Sequence, residues 1–324
     1  MSVDIPALAV DALCVDIRGV PVLDHVSLAL NPGEALGLVG ESGCGKSMTA
    51  LAILGLLPRG AVVGGGRVRL RGQDLLGASE EALCKVRGGA VGMIFQEPGA
   101  CLDPVMRIGR QIGESLRLHR GLTGERQTAE LRKLLVEVGL NDTERVARAY
   151  PHELSGGMQQ RAMIAMALAG EPVVLIADEP TTALDARVAS QILDLLDTLR
   201  RERGLALLLI SHDLAVIAGR CDRVMVMYAG RAVEAAPADR VFTDARHPYT
   251  AALIAASPGI AGVAPKTPLR DIPGQLPAPG SVPDGCAFAE RCTLARPACA
   301  QRTPIWSELE SGRGARCLQY EEGW

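Results

Sequence analysis

Between Leu8 and Leu30 apolar and polar residues alternate, with turn residues at Arg18-Gly19 and at Asn31-Pro32-Gly33, a pattern that predicts a small antiparallel sheet. A short apolar strand, Ala35 to Val39, leads into a glycine-rich octet and then a helix, Met48 to Leu57, closed by Pro58. Val68 to Leu70 and Ala90 to Phe95 read as further strands. Beyond Gln96 the period turns helical: Ile108 to His119, then Glu125 to Val138 with Leu131, Leu134, Leu135 and Val138 on one face. This helical subdomain, about residues 97–170, ends with a helix opened by Ser155-Gly156-Gly157 and apolar to Ala169. Val173 to Ala177 and Ala206 to Ile210 are unbroken apolar runs, the mark of strands buried on both faces. Between them an amphipathic helix, Ala186 to Arg203, carries Ile192, Leu195, Leu196 and Leu199 on one side and stops at Gly204. Arg223 to Tyr228 and Arg231 to Glu234 form a hairpin around Ala229-Gly230. The order predicts an α/β fold: a mixed sheet core, an antiparallel β subdomain and a helical subdomain.

The pattern fades near Arg246. Ten of the chain's 20 prolines lie beyond that point, with four of its nine cysteines, so residues 1–245 and 246–324 are expected to form a main domain and a small, loop-rich extension. The 324 residues suffice for such a two-part chain. Although 48% of residues are hydrophobic, every apolar run is broken well short of a membrane span. The N-terminus has acidic residues where an export signal would be basic, so secretion is not expected. A formal charge of −3 gives no basic field for nucleic acid.

Candidate chemistry concentrates where apolar strands end. Gly40-Glu41-Ser42-Gly43-Cys44-Gly45-Lys46-Ser47 matches the phosphate-binding pattern G-x-x-x-x-G-K-[ST], with a strand before it and a helix, beginning near Met48, after it. Glycines let backbone N–H groups close on phosphate oxygens, Lys46 adds a charge near the β and γ phosphates, and Ser47 offers a hydroxyl to Mg²⁺. Asp178 and Glu179 end the run Val173 to Ala177, placing two carboxylates at the carboxyl edge of a sheet, fit to hold a metal ion and activate a water. Ser155-Gly156-Gly157, opening a helix with free N–H groups, is an anion site of a second kind. A single chain cannot readily aim both half-sites at one phosphate, so two chains are expected to share each site. Gln96 ends a strand at the edge of the insertion, a place suited to sensing a γ-phosphate. His212 follows the run Ala206 to Ile210, a strand expected to lie beside the one ending in Asp178 and Glu179.

Cys286, Cys292, Cys299 and Cys317 have the spacing C-x5-C-x6-C-x17-C, without the paired knuckles usual for zinc ribbons. In a reducing compartment four thiolates could hold an iron–sulfur cluster or zinc, or simply be buried thiols, and spacing leaves the three open.

Taken in order, the octet, the Gln96 loop, Leu154-Ser155-Gly156-Gly157-Met158-Gln159-Gln160, the Asp178-Glu179 strand end, Thr182-Ala183-Leu184-Asp185 and His212 resemble the nucleotide-binding subunits of ATP-binding cassette transporters. The phrases MIFQEP, YPHELSGGMQQR, IADEPTTALD and VMYAGRAVE, and the tail phrases HPYTAAL, IPGQLP and GCAFAERC, are similar to the dipeptide, oligopeptide and nickel importer branch. The resemblance implies ATP and Mg²⁺ as cofactors, with Gly40 to Met48, Ser155, Gly156, Gly157 and Asp185 at the nucleotide. It implies Ser47, Gln96 and Asp178 around Mg²⁺, Glu179 polarising the attacking water, and His212 and Lys46 holding the transferring phosphoryl group. It implies a [4Fe–4S] cluster on the four tail cysteines. It implies, as partners, a second ATPase subunit of related sequence, two integral permease subunits and an extracytoplasmic solute-binding protein, with this chain peripheral on the cytoplasmic membrane face. The family often stacks adenine on an aromatic side chain where this sequence has Ile17. The contrasting reading is a cassette ATPase working as a scaffold or assembly factor without a permease, and a third makes the tail a redox sensor of ATP turnover.

Overall fold

The computed structural model describes residues 5–261, 271–310 and 312–321. Their contacts divide the chain into two compact units, residues 1–8, 30–34 and 77–208 in one, and 9–29, 35–76 and 209–324 in the other. In chain order the strands are β1 (Leu8–Ile17), β2 (Val20–Leu30), β3 (Ala35–Val39), β4 (Ala61–Leu70), β5 (Gln73–Asp74), β6 (Val91–Ile94), β7 (Val174–Asp178), β8 (Ala206–Ile210), β9 (Arg223–Tyr228), β10 (Arg231–Pro237), β11 (Ser307–Glu310) and β12 (Arg313–Ala315). The helices that matter below are α1 (Lys46–Ile53), α2 (Glu80–Val86), α3 (Pro98–Cys101), α4 (Ile108–Arg120), α5 (Gly124–Glu137), α6 (Thr143–Arg148), α7 (Gly156–Leu168), α8 (Ala186–Arg203), α9 (Leu214–Ala218), α10 (Ala238–Thr243) and α11 (Pro248–Ala255).

In the first unit β6 and β7 pair in parallel, Val91 opposite Val174 and Ile94 opposite Ala177. Every residue of β7 is buried, which is why its sequence is continuously apolar up to Asp178. Helices α3 to α7 fill the stretch between β6 and β7. Gln111 fixes the entry to α4: its side chain, almost wholly buried, accepts from the Asp103 N–H at 2.9 Å and donates to the Asp103 and Met106 carbonyls. Helix α8 runs as its periodicity predicts and ends at Gly204 in the left-handed conformation.

In the second unit β2, β1, β4 and β5 form the antiparallel sheet. Strand β9 lies parallel to β3, with Val39 opposite Val226, and turns into β10 through Ala229 and Gly230, both at positive φ, as a two-residue hairpin with right-handed twist demands. The tail is more tightly joined than a separate loop-rich module: β12 adds to β10, Glu234 opposite Ala315, and β11 adds to β12. β10 itself continues to Pro237, three residues past the expected end.

Differences from the sequence expectation are local. Helix α1 starts at Lys46, as soon as the glycine loop lets it, and stops at Ile53, well before Pro58. Gly55, at positive φ, sends its N–H to Ala52 while the Leu56 N–H reaches the Leu51 carbonyl, a pair of bonds that terminates a helix without proline. Strand β4 extends back to Ala61 through Gly64-Gly65-Gly66, residues whose propensity argues against a strand. Gly66 is needed there because a Cβ would stand 2.6 Å from the Asp11 and Ala12 carbonyl oxygens. Helices α2, α3, α6 and α9 are too short to leave a readable period.

Candidate functional site

The glycine octet lies wholly in the second unit. Its three glycines have φ of 151°, 83° and 109° at Gly40, Gly43 and Gly45, so the loop takes a shape closed to other residues. At Gly40 the constraint is also steric, since a Cβ would lie 2.3 Å from the Met227 carbonyl oxygen. The Cys44 N–H bonds the Glu41 carbonyl at 3.2 Å and the Gly230 N–H bonds the Cys44 carbonyl at 2.9 Å, tying the loop to the β9–β10 turn. Helix α1 opens at Gly45 with no side chain capping it and no acidic residue in its first turn, leaving the positive end of the helix for an anion. Lys46 is nearly buried and points back into the loop, donating to the carbonyls of Gly40 at 2.8 Å and Glu41 at 3.0 Å. Cys44 is fully buried, and burial pushes its thiol above the usual cysteine range, so it is inert packing. Ile17 closes β1, half-buried. His212 is exposed on the turn after β8, where the Asp213 N–H bonds Ser211 Oγ at 3.0 Å and the Asp213 carboxylate caps α9.

The first unit holds the acidic and signature residues. Asp178 ends β7, almost buried. Glu179 follows at φ 46°, a conformation a non-glycine residue holds only when its surroundings impose it. Thr182 supplies that hold, its hydroxyl donating to Glu179 Oε2 at 2.9 Å and its N–H to the Glu179 carbonyl at 3.1 Å. Asp185 has a structural task as N-cap of α8, its Oδ1 accepting from Arg187 and Val188 N–H at 3.1 and 3.0 Å. Ser155 is the N-cap of α7, accepting from the Met158 N–H at a long 3.4 Å. Gly156 and Gly157 form the bare first turn, and a Cβ at Gly157 would stand 2.7 Å from Val188 of α8. Gln96 is exposed two residues beyond β6.

Sequence reasoning missed a second set of residues, which join the tail to the octet inside the second unit. His247, fully buried, caps α11 through Nδ1, accepting from the Tyr249 N–H at 3.1 Å, and Pro248 takes the first helical position. Tyr249 then accepts the Glu41 N–H on its hydroxyl at 2.9 Å. Glu234 of β10, completely buried, accepts the N–H groups of Arg246 and His247, both at 2.8 Å. Arg291 pairs in bidentate fashion with the Glu41 carboxylate, at 2.7 and 2.9 Å, beneath a cluster of Tyr228, Tyr249 and Phe288. The motif HPYT is visible in sequence, but its partners stand far away along the chain.

Burial forces His247 to stay neutral and lowers its pKa from 6.5 to about 4. A depressed folded-state value makes this residue stabilising above the unfolded pKa, with that contribution lost as pH falls towards about 4. His247→Asn keeps an N-cap acceptor and removes the titration. Between pH 7 and pH 5 its denaturant-derived stability should therefore fall by about 2 kcal/mol less than that of the wild type. Parallel slopes for the two proteins would refute this role.

The four tail cysteines, none of them in a disulfide, line one cavity with His247, Phe288, Leu294 and Leu318. Burial, with the other thiols adding to it, raises the pKa of Cys286 and Cys292 and pushes Cys317 up to about 11. Such a set ionises only against a cation. Among the described residues no three of these sulfurs lie within 4.8 Å of one another; the one group that does meet that spacing is Cys14, Asp24 and His25. Asp24 there is already paired with Arg231, at 2.6 Å.

Residues 23–182 match the family described as ABC transporter, and residues 233–299 match the oligopeptide/dipeptide transporter C-terminal region. A protein of Brucella ovis named a peptide import ATP-binding protein is 45% identical over 94% of this chain and 93% of its own length. A likewise named protein of Brucella abortus is 46% identical over 96% of this chain and 94% of its own. Among solved structures, part of the CbiONQ ABC transporter complex of Clostridium perfringens superposes with a TM-score of 0.65 at 27% identity, over 74% of this chain and 91% of that one. An ATP-binding cassette in a post-hydrolysis state with ADP and phosphate gives 0.64 at 28% identity, over 71% of this chain and 98% of that one.

Proposed function

Since the chain belongs to the ATP-binding cassette transporter family, as an ATP-hydrolysing subunit, we propose that it powers import of peptides through a membrane complex. The observation that carries the peptide reading is that one chain joins the phosphate-binding loop to the oligopeptide-type tail, with similarity to peptide-import proteins over 96% of its length. Among the described residues no helix is long and apolar enough to cross a membrane, so passage of solute falls to integral partners. Those partners are two permease subunits fed by a solute-binding protein, with this chain and a related ATPase subunit docked at the cytoplasmic face.

ATP with Mg²⁺ is the substrate the family implies. The uncapped start of α1 and the octet amides cradle its phosphates, and Lys46 leaves its carbonyl partners to follow the β and γ oxygens. Ser47, Gln96 and Asp178 are the residues that would hold Mg²⁺, directly or through water, where it would offset charge on the phosphates. Glu179, fixed by Thr182, takes a proton from the attacking water, and His212 keeps water and γ-phosphate in register. Ser155-Gly156-Gly157, bare at the head of α7, meets the nucleotide held by the partner subunit, so binding is also closure of the dimer. The swing of the helical subdomain about Gln96 carries that closure to the permease.

The tail cysteines fit a [4Fe–4S] cluster better than zinc. Tetrahedral zinc with bonds of about 2.3 Å needs sulfurs about 3.8 Å apart. The four thiols make no group that tight, though all line one apolar cavity, an arrangement compatible with a cubane. Cys286, Cys292, Cys299 and Cys317 would ligate it, and its contribution is to staple a proline-rich tail.

Two arms of one preparation test these proposals. Expressed alone the chain should remain outside the membrane fraction, and with its permease subunits it should enter that fraction and hydrolyse ATP faster when peptide-loaded binding protein is added. Membrane association without integral partners, or turnover indifferent to peptide, defeats the import reading. Anaerobic protein should carry about four irons and four sulfides per chain, lost in Cys292→Ser. Stoichiometric zinc, or no metal, defeats the cluster alone.

A further inference from the structure

The octet that receives a polyanion contains an acidic side chain. Of its two charged residues, Lys46 is positive and Glu41 negative, so by itself the loop offers a triphosphate no net charge. The structure supplies the missing charge from 250 residues away. Arg291 is only 7% exposed and spends all five of its N–H donors. Nε donates to the Pro273 carbonyl at 2.7 Å, and Nη1 to Glu41 Oε2 at 2.7 Å and the Tyr228 hydroxyl at 3.2 Å. Nη2 donates to Glu41 Oε1 at 2.9 Å and the Ile272 carbonyl at 3.3 Å. The Glu41 backbone is held as well, by the Tyr249 hydroxyl. An arginine fork met on every donor is fixed in place by the fold, unlike a surface ion pair that forms and breaks.

We infer that Arg291 is a positioning residue of the nucleotide site: it neutralises and orients Glu41, so that the loop presents Lys46 and the start of α1 to ATP as a net cation. The tail thereby becomes part of the ATP site without touching the nucleotide. Because Arg291 precedes Cys292 directly, whatever orders the cysteine pocket also orders the residue that sets the charge of the loop. By reciprocity, nucleotide binding steadies the tail. The inference rests on the octet being the ATP cradle, and it is indifferent to what the cysteines hold.

Affinity for a fluorescent ATP analogue, measured on full-length protein, tests the idea. Arg291→Gln leaves a bare carboxylate beside the phosphates and should weaken binding about tenfold. Glu41→Gln should bind about threefold more tightly than wild type, because Arg291 then adds its charge unopposed. The double variant should return to within about threefold of wild type. If Arg291 only props up the tail, then Glu41→Gln will weaken binding, and it will fail to rescue Arg291→Gln; either result overturns the proposal, as does unchanged affinity in Arg291→Gln. If Arg291→Gln does not fold, Glu41→Gln alone decides. Failure of the wild type to bind the analogue would instead remove the ATP reading itself.

Discussion

Replacing Glu179 by Gln should slow ATP turnover by about 10²–10⁴-fold, a barrier higher by about 3–5 kcal/mol, while ATP still binds. The geometry makes the substitution clean. Thr182 donates to Glu179 Oε2, and an amide oxygen accepts that bond equally well, so the left-handed backbone at this residue keeps its support. What the amide cannot do is take a proton from water. Binding and hydrolysis then separate, and protein mixed with its partner ATPase subunit, ATP and Mg²⁺ should accumulate as a closed pair, seen as a shift to the summed mass of the two subunits on gel filtration with ATP and not with ADP. Near-normal turnover in this variant would remove Glu179 from the reaction and leave its strained backbone without a function.

Gly40→Ala should cost both stability and nucleotide binding. The residue sits at φ 151°, and the added Cβ would meet the Met227 carbonyl oxygen at 2.3 Å and Cys44 Sγ at 2.7 Å. The first obstacle is backbone in the last stretch of β9, which pairs with both β3 and β10, so it cannot yield without disturbing two ladders. Loss of stability of about 2–4 kcal/mol follows from overpacking plus a forbidden φ. Affinity for ATP should drop by about a hundredfold or more, because the amides aimed at phosphate move with the loop. Gly65→Ala is the control. That position has an ordinary φ and nothing within 4 Å of a new Cβ, so affinity and stability should stay at wild-type values. A Gly40→Ala protein that bound ATP normally would show that the loop tolerates a second shape.

What could be read from sequence was what depends on neighbours along the chain. The octet announces itself because glycine and lysine at fixed spacing have few other uses, and β7 because a strand buried on both faces must be apolar throughout. Helix α8 carries its period, its Asp185 cap and its Gly204 stop within one segment. Where the stop and the cap were less obvious, as at Gly55, the expected boundary slipped by one turn towards the nearest proline. Illegible were the residues whose meaning is a distant partner. Glu234 looks like a solvent-facing residue in a hairpin, yet it is buried as acceptor for two tail amides. Arg291 looks like one charge among many in GCAFAERC, and only the fold puts Glu41 in its grasp. Similarly, Asp185 reads as a site residue from the resemblance, while the structure gives it a capping duty that would be felt on mutation whether or not it meets nucleotide.

The long reach from Glu41 to Arg291 also sets a timetable for the ribosome. The loop leaves the tunnel some 250 residues before the guanidinium that completes it. At about 5–20 residues per second it waits on the order of 10–50 s, while β10 presents an edge that only the late β12 can cover. A nascent chain in that interval has an open strand and an acidic loop without its counter-charge, so it is both prone to pair wrongly and poor at capturing ATP. The polypeptide should reach its full affinity for nucleotide only when the segment bearing Arg291 docks, and a product cut short of it should hold ATP about tenfold more weakly.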